Sequence, residues 1–278
     1  MKELFDSSSY KISKLVTNTY STSFSLGIKL LGKDIRPAIY AIYGFVRYAD
    51  EIVDSFHDYD QKELIEEFEA DYRKALERKI SLNPILNAYQ EVVHAFNLYE
   101  LSDSFMHSMK LDLNKTEYLT EQEYKEYIYG SADVVGLMCL KIFVDGDEEK
   151  YEALKDEAMM LGSAFQKVNF LRDLKDDFER LGRSYFPNVK DYTFTEETKQ
   201  EIIEEIEQDF DRALSGILKL PLECRLGVYV AYKYYLGLLK KIKRKNSQAI
   251  LEERIRISNS RKVMILAKSY VRHRINML

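Results

Sequence analysis

Two stretches of this chain lay a stripe of polar side chains along an otherwise apolar helix, and that repeated conflict constrains the fold more than any other feature. In PAIYAIYGFVRYADEIVD, Tyr43, Arg47, Asp50 and Asp54 recur at i, i+4, i+7 and i+11, which places them on one helix face. In AFQKVNFLRDLKDDFERLG, Gln166, Asn169, Asp173 and Asp177 recur at i, i+3, i+7 and i+11. Carboxylates four residues apart repel by about 0.2–0.5 kcal/mol even when exposed, and burial raises that cost unless a cation or a proton neutralises them. A lone DxxxD is more often the solvated end of a helix. Two of them, the second led by an amide ladder in the apolar setting of Ala164, Phe165, Val168, Phe170 and Leu171, point to function rather than to chance solvated faces.

The rest of the chain favours long helices. Only 4 Pro and 11 Gly punctuate 278 residues, and helical periodicity follows Pro37 and then covers 60–79, 85–100, 102–112, 121–143, 150–180, 196–218 and 223–245. Turns fall at Pro84, Gly146, around Gly182 and at Pro221. The segment 60–79 is amphipathic, with Leu64, Ile65, Phe68, Tyr72 and Leu76 on one side, and belongs on the outside. The Ser/Thr-rich stretch 7–25 ends in STSFS, where Ser21 or Ser23 caps a helix or lines a pocket mouth. The expectation is an all-α fold, one helical domain over residues 1–278, with no linker or internal repeat.

Composition excludes several functions. With 41 Lys+Arg against 46 Asp+Glu the net charge is −5, so no global field favours nucleic acid. Cys139 and Cys224 lack a CxxC spacing, and His57, His94, His107 and His273 lack metal-ligand spacing. The opening MKELFDSSSY has no apolar signal run and no stretch is apolar enough to span a bilayer; the expectation is a reduced, cytoplasmic protein whose membrane contact, if any, is peripheral and on the inner face. Residues 240–274 are strongly basic. That end either attracts anionic lipid headgroups or is a solvated helix face.

Mg²⁺ takes oxygen ligands and bridges one or two carboxylates to substrate phosphates, so acidic stripes at a cavity mouth suit a diphosphate site. Arg47, one turn before Asp50, and Arg183, in the loop GRSYFP, are candidates to grip phosphate. Arg172 and Asp176 flank the second stripe.

Taken in order, SFSLG, YGFVRYADEIVD, YIYGSADVVG, QKVNFLRDLKDD and GRSYFP resemble the squalene and phytoene synthase family over nearly the whole chain. The resemblance implies a helical bundle of the terpenoid synthase type around a central cavity, with isoprenyl diphosphates as substrates. It implies that Asp50, Asp54, Asp173 and Asp177, with Asn169, hold Mg²⁺, or Mn²⁺ as a second choice. It implies substrate contacts from Ser21, Ser23, Phe24, Tyr43, Arg47, Gln166, Arg172 and Arg183, and, over a looser match, from Tyr235 and Arg254; Tyr229 and Tyr232 are expected in the core. Tyr127 matches a tyrosine placed near the reacting carbons, with a packing role as its rival. Asp133 stands where the family has glycine, which bears on cavity shape and substrate choice.

The implied reaction is head-to-head condensation in carotenoid biosynthesis. Two geranylgeranyl diphosphates would give phytoene through a cyclopropylcarbinyl diphosphate, without NADPH. The alternatives are a C30 synthase using farnesyl diphosphate to make squalene, hydroxysqualene or dehydrosqualene, and a catalytically silent relative acting in assembly. No GxGxxG fingerprint is present, which favours phytoene weakly. Both stripes keep their carboxylates, which argues against the silent relative.

Overall fold

The computed structural model describes residues 1–278 except 114, 116, 190–192, 253 and 276–278, and the side chains at 180 and 181 also lie outside it. The described residues are helical, with one isolated parallel bridge between Glu117 and Ser184. In chain order the α-helices are α1 Lys2–Tyr20, α2 Thr22–Ile28, α3 Arg36–Ser55, α4 Gln61–Arg78, α5 Pro84–Phe96, α6 Tyr99–Asp112 and α7 Glu121–Ile128. There follow α8 Val134–Phe143, α9 Glu148–Glu152, α10 Lys155–Asp176, α11 Glu196–Lys219, α12 Leu222–Lys243, α13 Ser247–Glu252 and α14 Asn259–Arg274.

Local chemistry sets most of these boundaries. Pro37 sits in the first turn of α3, where its missing N–H costs nothing. Asn83 accepts from the backbone of Ile85 and Leu86 to start α5, and Asn97 ends it at φ 52°. Thr120 and Glu123 form a capping box at α7.

Two boundaries depart from the sequence pattern. The helix expected over 121–143 is interrupted by a π turn at Tyr129–Asp133, and the one expected over 150–180 begins at Lys155 and ends in a second π turn, Asp177–Leu181. A helix also covers most of the Ser/Thr-rich stretch. In α1 the buried hydroxyls of Ser9, Ser13 and Thr17 donate to carbonyls four residues back, which satisfies them inside a helix interior that propensity disfavours.

The core forms two large clusters. One draws on α1, α3, α4, α5, α6 and α8, and the other on α7, α10, α11 and α12. α3 packs on α1 and α5, and α10 packs most extensively on α11. Between the clusters lies a cavity of about 680 Å³, lined by members of both.

Candidate active site

Both polar stripes face this cavity. Tyr43, Arg47, Asp50 and Asp54 from α3 line it, as do Gln166, Asn169, Asp173 and Asp177 from α10 and the π turn beyond it. Ser21, Phe24, Tyr127, Arg172, Asp176, Tyr235 and Arg254 join the lining. Two predicted residues do not. Ser23 lies off the face of α2 that Phe24, Gly27 and Ile28 present to the cavity, because helical periodicity turns it aside. Arg183 stands behind the acidic end instead, buried, donating to Asp54 at 2.9 Å and to the carbonyl of Asp112 at 3.0 Å.

The carboxylates crowd one another. Burial, then the neighbouring Asp54, raises Asp50 to about 8. Burial, then Asp173 and Asp54, raises Asp177 to about 8. Asp54 lies on α3 and Asp177 beyond α10, and both line the same cavity, so the two stripes face one space. Arginines already hold part of this charge. Arg172 and Arg254 grip Asp173, Arg254 at 2.7 Å, and Arg47 pairs with Glu51.

The residues fit a divalent cation bound with a polyanion. Carboxylates raised by burial and then by their neighbours' charge favour a cation, and the buried Oδ1 of Asn169, on the same face, accepts no hydrogen bond. Among the described residues no three His, Cys, Asp or Glu side chains form a ready cage. Mg²⁺ needs none, since it keeps waters and takes substrate oxygens.

At the acidic end Tyr127 is held by Asp112, a residue that no sequence pattern marked. Asp112 accepts from Tyr127 Oη at 2.9 Å and from Tyr118 Oη at 3.2 Å. Burial raises its carboxyl to about 7 while the nearby Arg183 charge opposes the rise. Tyr127 stacks on Tyr185 at 5.3 Å and on Phe170 at 6.0 Å. Phe165 stacks on Tyr235 at 3.9 Å, and Phe24 touches both Tyr43 and Tyr235. Tyr43, raised to about 12 by burial, stays a neutral phenol. These faces offer negative quadrupole to a cation.

Other residues fall as follows. Asp133 does not line the cavity. Its carboxyl accepts from Ser163 Oγ at 2.8 Å, and burial raises it to about 7. Near it, Lys167 pairs with Glu205 and with Asp209, the latter at 2.7 Å. Tyr229 and Tyr232 are buried, as expected.

Comparison with known proteins follows the same geometry. A family model described as squalene/phytoene synthase matches residues 17–261. A phytoene synthase of Arthrospira platensis is 28% identical, with 97% of this chain and 94% of the relative covered. A 4,4'-diapophytoene synthase of Staphylococcus haemolyticus is 26% identical, with 94% and 97% covered. Among solved structures, a dehydrosqualene synthase bound to a ligand superposes with TM-score 0.80 at 20% identity, covering 96% of each chain. A squalene synthase from Alicyclobacillus acidocaldarius gives 0.73 at 21% identity, covering 85% of this chain and 94% of its own.

Proposed function

The chain belongs to the squalene/phytoene synthase family, and from that premise we propose that it joins two geranylgeranyl diphosphates head to head into phytoene. The observation that carries this reading is the meeting of two opposed carboxylate stripes with an apolar, aromatic-walled cavity.

In the reading, Asp50, Asp54, Asp173, Asp177 and Asn169 hold Mg²⁺, or Mn²⁺ in its place, and the metal supplies positive charge to the departing diphosphate. Arg47, Arg172 and Arg254 add fixed charge at the same end without reorganising during ionisation. The apolar walls keep water from the allylic cation, and the faces of Phe165, Phe170 and Tyr235 stabilise it. Tyr127 lines this space with its hydroxyl held in one direction by Asp112, suited to proton handling. Ser21 caps α2 by accepting from Phe24 N, which fixes Phe24 against the reacting end. Nothing in this scheme requires NADPH.

The test is incubation of the purified protein with Mg²⁺ and either geranylgeranyl or farnesyl diphosphate, with and without NADPH, and mass analysis of the product. A C40 hydrocarbon formed without NADPH supports the reading. A C30 product from farnesyl diphosphate alone would assign the dehydrosqualene type instead, and no product from either would support a silent relative.

A peripheral contact with the inner face of the membrane belongs to the same proposal. No described helix is long and apolar enough to cross a bilayer. On α14, however, Val263, Met264, Tyr270 and Val271 are exposed beside Lys268, Arg272 and Arg274, the pattern of a helix lying in an anionic interface. Co-flotation with vesicles containing phosphatidylglycerol, absent with neutral vesicles and lost in Val263→Glu/Val271→Glu, is the expected result. Equal behaviour with both vesicle types would remove the contact.

A further inference from the structure

Three glycines bring the π turn Tyr129–Asp133 closer to its neighbours than a Cβ would allow. A Cβ on Gly162 of α10 would stand 2.8 Å from the carbonyl oxygen of Ala132 and 3.0 Å from Cα of Asp133. One on Gly136, just past the turn, would stand 2.9 Å from the carbonyl oxygen of Ala158, also on α10, and one on Gly130 would stand 1.9 Å from Ser108 Oγ of α6. The turn is wedged between two helices. Ser131 and Ala132, within it, line the cavity beside Tyr127.

Helices that meet on glycine lack the side-chain ridges that interlock ordinary helix pairs, so such contact fixes the distance between the backbones more firmly than their register. A directed bond supplies the register here. The carboxyl of Asp133, outside the cavity lining, accepts from Ser163 Oγ of α10 at 2.8 Å, and both residues are buried. Ser163 could satisfy its hydroxyl on its own helix, as Ser9 and Thr17 do in α1, yet it donates across the contact. Burial disfavours charge on Asp133, while this bond and the charge of Lys167, one turn along α10, favour it. Lys167 donates in turn to Asp209 of α11 at 2.7 Å, which extends the tie to a third helix.

Tyr127 stands on α7, two residues before the turn. Asp112 holds its hydroxyl at 2.9 Å, but the root of the ring moves with the turn. We infer that Asp133 is a positioning residue for the reaction: through Ser163 it fixes the π turn on α10 and so holds the backbone from which Tyr127 reaches into the cavity. The inference rests on the prenyl diphosphate reading above and on the proton handling given there to Tyr127. With the tie released, the ring pivots about its bond to Asp112. A tyrosine misplaced by about 1 Å serves the second half of the reaction poorly, and the cyclopropylcarbinyl diphosphate departs instead of going on to product.

The experiment gives the Mg²⁺-loaded full chain whichever of geranylgeranyl and farnesyl diphosphate it condenses, and reads the ratio of released cyclopropylcarbinyl diphosphate to final product. That ratio does not depend on the fraction of enzyme folded, so a merely structural defect leaves it in place. Ser163→Ala and Asp133→Ala should each raise it by about tenfold, and Asp133→Asn, which keeps the acceptor oxygen, should stay within about twofold of wild type. Tyr127→Phe should raise it as well, and adding Ser163→Ala to Tyr127→Phe should change it by less than about twofold, because the tie acts through the tyrosine. Should Asp133→Ala fail to fold, Ser163→Ala, which removes one hydroxyl from a helix, carries the test alone. An unchanged ratio in Ser163→Ala, or an equal rise from Ser163→Ala with and without Tyr127→Phe, overturns the positioning role while prenyl transfer stands. A wild type that consumes neither diphosphate overturns the underlying reading, and the inference with it.

Discussion

Arg183, in the loop beyond α10, donates to Asp54, at the end of α3, at 2.9 Å. The same guanidinium reaches the carbonyls of Val53 and Asp112, so one buried side chain ties together the ends of α3 and α6 and the segment after the second stripe. This knot fixes the separation of the two acidic stripes.

Arg183→Lys keeps the charge and loses the fork. The two ends of the guanidinium reach Asp54 on one side and the carbonyls of Val53 and Asp112 on the other, a span that a single ammonium nitrogen does not cover, so the two carbonyls lose a donor. The expected loss is about 1–3 kcal/mol of stability, read as a lower Tm, with turnover down about tenfold or more. An unchanged Tm would show that the knot holds nothing.

Asp50→Ala and Asp173→Ala each remove a carboxylate from one stripe while creating no large void in the core. Turnover should fall by about 10³-fold, with helical circular dichroism nearly unchanged. Retained activity in either variant would mean that the stripe concerned does not serve the chemistry.

Asp112→Ala leaves two buried phenols, Tyr118 and Tyr127, without their acceptor. The cost is about 1–3 kcal/mol for each buried group that stays unpaired. Asp112→Asn keeps an acceptor oxygen and should recover most of the stability. If Tyr127 must be aimed, kcat falls in Asp112→Ala with KM little changed and partly returns in Asp112→Asn; a KM effect alone would deny that role.

Metal-free protein should lose stability as pH rises from about 4 to 8. Asp50 and Asp177 titrate near 8 in the folded chain and near 4 in an unfolded one, so the folded state holds more protons across that window. Their stabilising effect is complete below pH 4 and lost as pH passes 8. A divalent cation competes with those protons. The rise in Tm caused by Mg²⁺ with pyrophosphate should therefore be larger at pH 8 than at pH 6, and equal rises at both would count against the carboxylates as its ligands.

Much of the site was legible because a helix converts spacing into direction. Asp50 and Asp54, or Asp173 and Asp177, share a face by periodicity alone, and the apolar residues around them predicted burial. That the two faces oppose each other is a tertiary fact, and there the family resemblance carried the expectation. Asp112 was invisible for a different reason: it is a lone acid in KLDLNK, and its partner Tyr127 is fifteen residues away on another helix. Ser23 was included with Ser21 because a short serine run does not reveal which hydroxyl caps and which turns away. Helix α1 escaped notice because hydroxyl residues read as loop, whereas three of them satisfy themselves on their own backbone.

The π turn at Tyr129–Asp133 has a consequence for how the enzyme tolerates change. Such a turn carries one residue more than its α counterpart, so the segment before it and the segment after it keep separate angular settings. Deleting a single residue there would merge α7 and α8 into one unbroken rod and swing Tyr127 by about 100° relative to Val135 and Gly136. The tyrosine would then point away from Asp112, with every side chain of the site still present and the chemistry dismantled by rotation alone.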